Sequence, residues 1–267
     1  MKAPTLLVSL AALILSSCAT RFPSAGETDA TPAATARARD LLLASVAAHG
    51  TDPFRAGRTI TAELEGEWST LSPKVQPVLV DIGYRKTSTE NYDLEARITK
   101  QTHRGPSGTK QVTRDHRQRT IAVSYNGTPA NDPEVLSAAA LVADAYLMFT
   151  TTPAYFLHTP NTGFSPLPDA DLDGRSYHRL RTTLIPGLGD AASDDVVLWI
   201  DSETRRAHRV HFTLNGLEST RGAHVDVTYL GSSTAGNTRF PNNFIEVVRA
   251  PIRFKAHGWQ TKKLEVR

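Results

Sequence analysis

The run Asp169-Ala170-Asp171-Leu172-Asp173-Gly174 puts carboxylates at the first, third and fifth positions and glycine at the sixth, the opening of a calcium-binding loop. Position twelve is Leu180, where such a loop needs a bidentate glutamate, and a strand over 176–185 follows in place of a helix. The segment reads as an acidic turn entering a strand. His208 and His211 are three residues apart on a strand, so they point to opposite faces and cannot chelate one ion as a helical H-E-x-x-H pair does. Ser107, between Pro106 and Gly108, belongs to a hairpin turn and not to a G-x-S-x-G elbow. Pro186-Gly187-Leu188-Gly189-Asp190 has neither the lysine of a phosphate-binding loop nor a following helix. No catalytic residue, metal ligand or cofactor is expected, and the chain reads as non-enzymatic.

The remaining reactive group is the single cysteine, Cys18. Met1-Lys2 supplies a positive charge ahead of the apolar run Leu6–Leu15, which is shorter than the about 20 residues of a membrane span but suits a signal-peptide core. Leu15-Ser16-Ser17-Cys18 resembles the bacterial lipobox, which implies cleavage before Cys18 and acylation of its thiol and freed amine. Several acyl chains exceed what stable anchoring requires. Ala19 stands where an aspartate would imply inner-membrane retention in enteric bacteria. The expectation is therefore a bacterial envelope lipoprotein, anchored in the outer membrane and facing the periplasm. Residues 1–17 are read as signal peptide, 18–35 as lipidated cysteine and tether, and 36–267 as one folded domain. The tether, ATRFPSAGETDATPAAT, has almost nothing to bury and reaches at most roughly 55 Å when extended.

The body must supply whatever surface this anchor presents. Apolar residues form 40% of the chain and charged ones 21%, enough for a sizeable core. A net charge of +3, without a zinc-finger, RNP or helix-turn-helix signature, gives no reason to expect a nucleic-acid partner. A helix is predicted over 36–48, with Gly50 beyond its end. Alternation then predicts strands over 59–69 (Ile60, Ala62, Leu64, Gly66 and Trp68 on one face), 78–85 (Val78, Val80, Ile82, Tyr84) and 91–99 (Tyr92, Leu94, Ala96, Ile98). Further strands are expected near 109–115, 119–125, 176–185, 195–201, 207–214, 223–230 and 243–255, with turns at Asn126-Gly127, Asp173-Gly174, Asn215-Gly216 and Gly231-Ser232. Asp132-Pro133-Glu134 caps a second helix, and only Ser137 and Asp144 are polar between Val135 and Phe149. A helix that is apolar nearly all round must be covered on most sides. A curved antiparallel sheet, forming an unclosed half-barrel around that helix, satisfies both patterns.

This order of elements resembles the LolA/LolB-like lipoprotein carriers and receptors and the related lipoprotein-sorting-type domains. The local match is Asp195-Val196-Val197-Leu198-Trp199-Ile200-Asp201-Ser202-Glu203-Thr204 followed by Arg209-Val210-His211-Phe212, similar to the family's "v-l-W-i-D-x-x-T" strand and "r-v-x-f" return. Asp173-Gly174 opening Arg175-Ser176-Tyr177 also fits. The chain differs from the founding carriers in its length and in having no obvious exposed hydrophobic loop. The resemblance implies a mainly β half-barrel that holds acyl chains, without catalytic residues. The residues expected to line its cavity are Leu64, Trp68, Val80, Ile82, Leu136, Ala140, Ala143, Leu147 and Trp199, with helix 133–149 as a lid. The expected partner is the acyl chain of a membrane lipid or lipoprotein. The alternative is a scaffold lipoprotein whose filled interior leaves its outer face for an envelope protein partner.

Two basic stretches complete the reading. Arg97, Lys100, Arg104, Lys110, Arg114, Arg117 and Arg119 are interrupted by Asp115 alone among acids. Arg249, Arg253, Lys255, Lys262, Lys263 and Arg267 outweigh Glu246 and Glu265. Each stretch suits either anionic headgroups or a solvated outer sheet face.

Overall fold

The computed structural model describes residues 21–24, 26 and 30–267. The signal-peptide and Cys18 readings lie outside the described residues. Helix α1 (Pro32–Ala48) starts earlier than the apolar stripe predicts, because Thr31 caps it by accepting from the Ala34 amide at 3.2 Å and Pro32 occupies its first turn. Leu42 and Val46 bury its inner side. Its end is pinned by His49, whose Nδ1 and Nε2 bond the Arg239 carbonyl (2.9 Å) and the Ala207 amide (3.1 Å).

The strands form one antiparallel sheet. In chain order they are β1 (Thr59–Trp68), β2 (Thr87–Asp93), β3 (Ile98–Gly105), β4 (Gly108–Asp115), β5 (Thr120–Tyr125), β6 (Thr128–Pro129), β7 (Ser165–Leu172), β8 (Arg175–Leu184), β9 (Asp194–Asp201), β10 (Ala207–Thr213), β11 (His224–Ala235), β12 (Thr238–Ala250) and β13 (Phe254–Val266). The sheet has 13 strands in the order β6-β5-β4-β3-β2-β1-β13-β12-β11-β10-β9-β8-β7. The chain meanders from β1 out to one edge, crosses to the opposite edge, and returns to zip β13 against β1. The crossing segment carries α4 (Pro133–Thr151) and α5 (Tyr155–His158), so the topology itself lays α4 over the concave face. The edges β6 and β7 do not pair, and the half-barrel stays unclosed. The β1–β13 pairing is close and irregular. A Cβ on Gly66 would lie 2.5 Å from the Gly258 carbonyl and 2.6 Å from the Trp259 ring, and the register shifts between Glu63 and Leu64.

Several predicted elements need correction. The 78–85 segment is not a strand. Ser72–Val75 and Pro77–Val80 are short helices, α2 and α3, each with proline in the first turn, and Asp81 reverses the chain at φ 49°. The 91–99 segment is the β2–β3 hairpin, broken by Arg97 at φ 62°. The 243–255 segment spans two strands, because Pro251, which has no N–H to give a ladder, sits in the tight β12–β13 turn. The acidic run 169–174 ends β7 and turns through Asp173 (φ 51°) and Gly174 (φ 75°) into β8, an ordinary hairpin reversal.

Helix α4 is not a lid. Asp132 caps it through the Glu134 amide, and from Ala138 to Phe149 it is buried throughout. Tyr146 and Phe149 meet Phe244, Trp259 and Phe212 at ring separations of 5.3–6.0 Å. Displacing it would open the whole core.

Candidate hydrophobic-ligand site

The apolar concavity is smaller than the sequence implies, and it lies at one end of the half-barrel. A cleft of about 320 Å³ opens between α2–α3, the end of β1, the β12–β13 turn and the loop after β10. Trp68, Leu79, Val80, Leu214, Val248 and Ala256 form its walls. The β1–β2 connection folds over it as a flap, because Pro77 starts a helix and the Leu79 carbonyl is caught by Arg85 NH1 at 2.7 Å. Ser72 Oγ donates to the Ala256 carbonyl at 2.7 Å, and Gln76 Nε2 to the Ser219 carbonyl at 2.8 Å. Further ties hold the segment: Ser219 Oγ donates to Gln76 Oε1 at 3.1 Å, and the Asp81 carboxylate accepts from Lys110 Nζ and Tyr125 Oη, each at 2.8 Å.

Arg85 is the hinge post of this flap. Its guanidinium is buried between the Trp68 and Tyr146 rings, 4.9 and 5.5 Å from their centroids, and NH2 donates to Tyr146 Oη at 3.0 Å. Trp68 Nε1 donates back to the Arg85 carbonyl at 3.1 Å. Beside it Glu90 is buried, hydrogen-bonded to Ser88 Oγ, and burial pushes its carboxyl up to about 7.

The rim of the cleft is apolar and exposed. Leu71, Val75 and Ile252 line it with substantial solvent exposure, 62% for Ile252. This corrects the expectation that the chain lacks an exposed hydrophobic loop: Leu71 and Val75 precede the segment predicted as a strand, and Ile252 sits in the β12–β13 turn. The polar groups in the walls are occupied. Thr220 Oγ1 donates to the Leu214 carbonyl at 2.8 Å, and Glu246 pairs with His257 at 3.2 Å. The arrangement offers surface for apolar burial, worth about 0.8 kcal/mol per methylene before ordering costs are subtracted.

Of the residues expected to line a cavity, the structure brings Trp68 and Val80 together here. Leu64, Ala140 and Ala143 are buried, Leu64 in the main core. Leu136 packs beside Val112, Val123 and Ala139 in a separate small cluster. Leu147 lines a different, arginine-rich cleft, so Trp68 and Leu147 do not share a tunnel. Two residues are outside the interior altogether. Ile82 follows the α3 reversal and is 52% exposed. Trp199 points to the outer face of β9, between the guanidinium groups of Arg179 and Arg209 (5.3 and 5.1 Å), because its neighbours Leu198 and Ile200 take the inner one. Sequence reasoning missed Leu79, Leu214, Val248 and the rim residues. The signal available was Ser72-Pro73 and Gln76-Pro77, each a proline suited to starting a helix turn.

No protein-family model matches the sequence, and no curated protein is detectably similar to it. Among solved structures, a LolA superfamily protein from Nitrosomonas europaea is similar at 10% identity, covering 86% of this chain and 93% of that one, with a TM-score of 0.47. An outer membrane lipoprotein-sorting protein domain from Vibrio parahaemolyticus is similar at 10% identity, over 87% and 93% of the two chains, with a TM-score of 0.42. A DUF1329 family protein from Desulfovibrio piger follows at 8% identity, over 87% and 92%, with a TM-score of 0.41. The unclosed antiparallel sheet over a buried apolar helix is the architecture that the sequence pattern predicts.

Proposed function

We propose that the protein is a lipid-anchored, non-enzymatic component of the bacterial envelope that binds the acyl chain of a lipid or lipoprotein. Cys18 carries the anchor, in the outer membrane facing the periplasm. The observation that supports this reading most directly is the apolar cleft beneath α2–α3, rimmed by exposed Leu71, Val75 and Ile252. An exposed apolar rim is costly in water, and that cost is relieved when a hydrophobic ligand or membrane covers it.

The test is saturable binding of a fluorescent polyene fatty acid to the full chain in neutral detergent. Ala223→Trp, which fills the cleft from its partly exposed wall, should abolish binding while leaving the melting temperature unchanged. A chain that binds no fatty acid, or binds it equally well with the introduced indole in the cleft, would instead support the scaffold reading, with the outer face meeting an envelope protein. The anchor is checked separately, by metabolic labelling with a clickable palmitate that should be lost on Cys18→Ser.

A further inference from the structure

A second cleft, of about 500 Å³, shares no lining residue with the apolar one. It lies where the β2–β3 and β4–β5 turns meet α4, α5 and the β8–β9 loop, and Arg97, Arg114, Arg117 and Arg119 all line it. One carboxylate, Asp144, sits among them, and its acceptor capacity is already taken. Arg114 reaches it with Nε (3.0 Å) and NH2 (2.9 Å), His116 Nδ1 lies at 3.0 Å, and the Gly189 amide donates at 2.8 Å. Burial alone would raise the Asp144 pKa, but the His116 hydrogen bond and the Arg114 charge outweigh it and hold the carboxyl below its usual value. That network fastens the loop 187–189 to α4 and the sheet rim.

The other arginines are not neutralised in this way. Arg119 donates to the Gly187 carbonyl at 3.1 Å and to that of Gly189, and Arg117 donates to the Glu95 carbonyl at 2.6 Å. Arg97 stacks its guanidinium 4.6 Å from the Phe54 ring, while His158, paired with Asp52 at 2.7 Å, stacks on the same ring at 4.8 Å. Among the described residues, no carboxylate lies within ion-pair distance of Arg97, Arg117 or Arg119. Burial, and then the charge of Arg117, lower the Arg97 pKa against the opposing pull of Tyr155 and Asp52. A solvated basic face would spread such residues outward. Here Arg97 and Arg119 are half-buried in a concavity, with Phe54 holding Arg97 and backbone carbonyls orienting Arg119, and the exposed Arg117 stands at its rim, bonded to the Glu95 carbonyl.

We infer that this cleft is a binding site for a phosphate monoester. Guanidinium forks match phosphate oxygens in pairs, and a doubly charged group answers several uncompensated arginines better than a single carboxylate does. The volume exceeds one phosphate, and Leu147 and Tyr155 offer apolar wall to whatever the phosphate carries. The phosphate belongs either to a lipid headgroup or to a soluble ester, and the chemistry at the arginines is the same.

The experiment is calorimetric titration of the full chain in neutral detergent with dihexanoylphosphatidic acid, glycerol 3-phosphate and inorganic phosphate, with dihexanoylphosphatidylcholine as the zwitterionic control. The expected result is one saturable site for at least one of the two esters, absent for the control. It should weaken about tenfold or more in Arg97→Gln/Arg117→Gln, whose side chains are not fully buried, at unchanged melting temperature. Lys262→Gln/Lys263→Gln, which removes the same formal charge elsewhere, should leave it intact. Phosphatidic acid binding without glycerol 3-phosphate assigns the site to a lipid headgroup, and comparable binding of both assigns it to a soluble ester. No saturable binding of any ester at millimolar concentration, or equal losses in the arginine and lysine variants, would overturn the inference. Ala223→Trp leaves this site untouched, so it stands or falls separately from the fatty-acid cleft.

Discussion

The two halves of the sheet bury opposite chemistries. On β8 to β11 the inner positions are Leu180, Leu184, Val196, Leu198, Ile200, Val210, Phe212, Val225 and Val227, all in one core cluster with α4. On β2 to β4 most of them are polar, Ser88, Glu90, Thr99, Gln101, His103, Lys110 and Arg114, and equally buried. Tyr92 of β2 joins the main core, and Val112 with Val123 of β5 supplies a small apolar patch against Ala139 of α4. The same helix serves both sides: Ala139 meets Val112 and Val123 and Asp144 meets Arg114, while Met148 and Phe149 pack in the apolar core. The first half is held by area removed from water. The second is held by partners: Lys110 to Asp81 at 2.8 Å, Tyr125 to the same carboxylate at 2.8 Å, and Arg114 to Asp144. Buried networks of this kind contribute less net stability than well-packed apolar groups but are costly to break singly.

The largest expected effects set the halves against each other directly. Phe212→Ala should cost about 3–5 kcal/mol through the cavity it leaves, and Asp144→Ala a similar about 3–5 kcal/mol by stranding Arg114, both read from denaturant midpoints. The comparison sharpens with the double change Asp144→Leu/Arg114→Met. It should recover most of the Asp144→Ala loss, since no buried charge is then left alone, and failure to recover would mean that the ion pair does more than neutralise itself.

Next in size is a pH effect confined to the polar half. Glu90, raised to about 7 from 4.5, keeps its proton in the fold while the unfolded chain loses it. Its contribution is fully present below pH 4.5 and lost as pH rises through about 7, an amount on the order of 3 kcal/mol. Glu90→Gln should flatten that fall in melting temperature. His211, on the outer face of the apolar half, tilts the other way. Burial holds its imidazole at about 3, so stability declines as pH falls from 6.5. The smallest effect is on the outer face. Trp199→Ala should leave fatty-acid binding unchanged, and altered binding would return Trp199 to the ligand path.

The same contrast decides what was legible in the residues. The β8–β9–β10 hairpins are read correctly because their inner faces are apolar and alternate cleanly, and Asp173-Gly174 marks the turn into β8 through positive φ. The meander is read in part: 59–69, 109–115 and 119–125 match β1, β4 and β5, but β2 and β3 are misplaced because the buried Ser88, Glu90, Gln101 and His103 give no apolar alternation and the apolar run of 92–98 slips register across the turn at Arg97. Helices α2 and α3 have 4 residues each, too few for a helical period to show.

Local chemistry therefore determined the caps of α4, its burial, most of the strands and the half-barrel class. Those features depend on neighbours along the chain and on apolar pattern alone. Only the tertiary structure decided where the clefts lie and which charges go uncompensated. Arg97, Arg119 and His158 come from separate segments, and whether a guanidinium finds a carboxylate, a carbonyl or an open cleft depends on what distant parts of the chain bring to it.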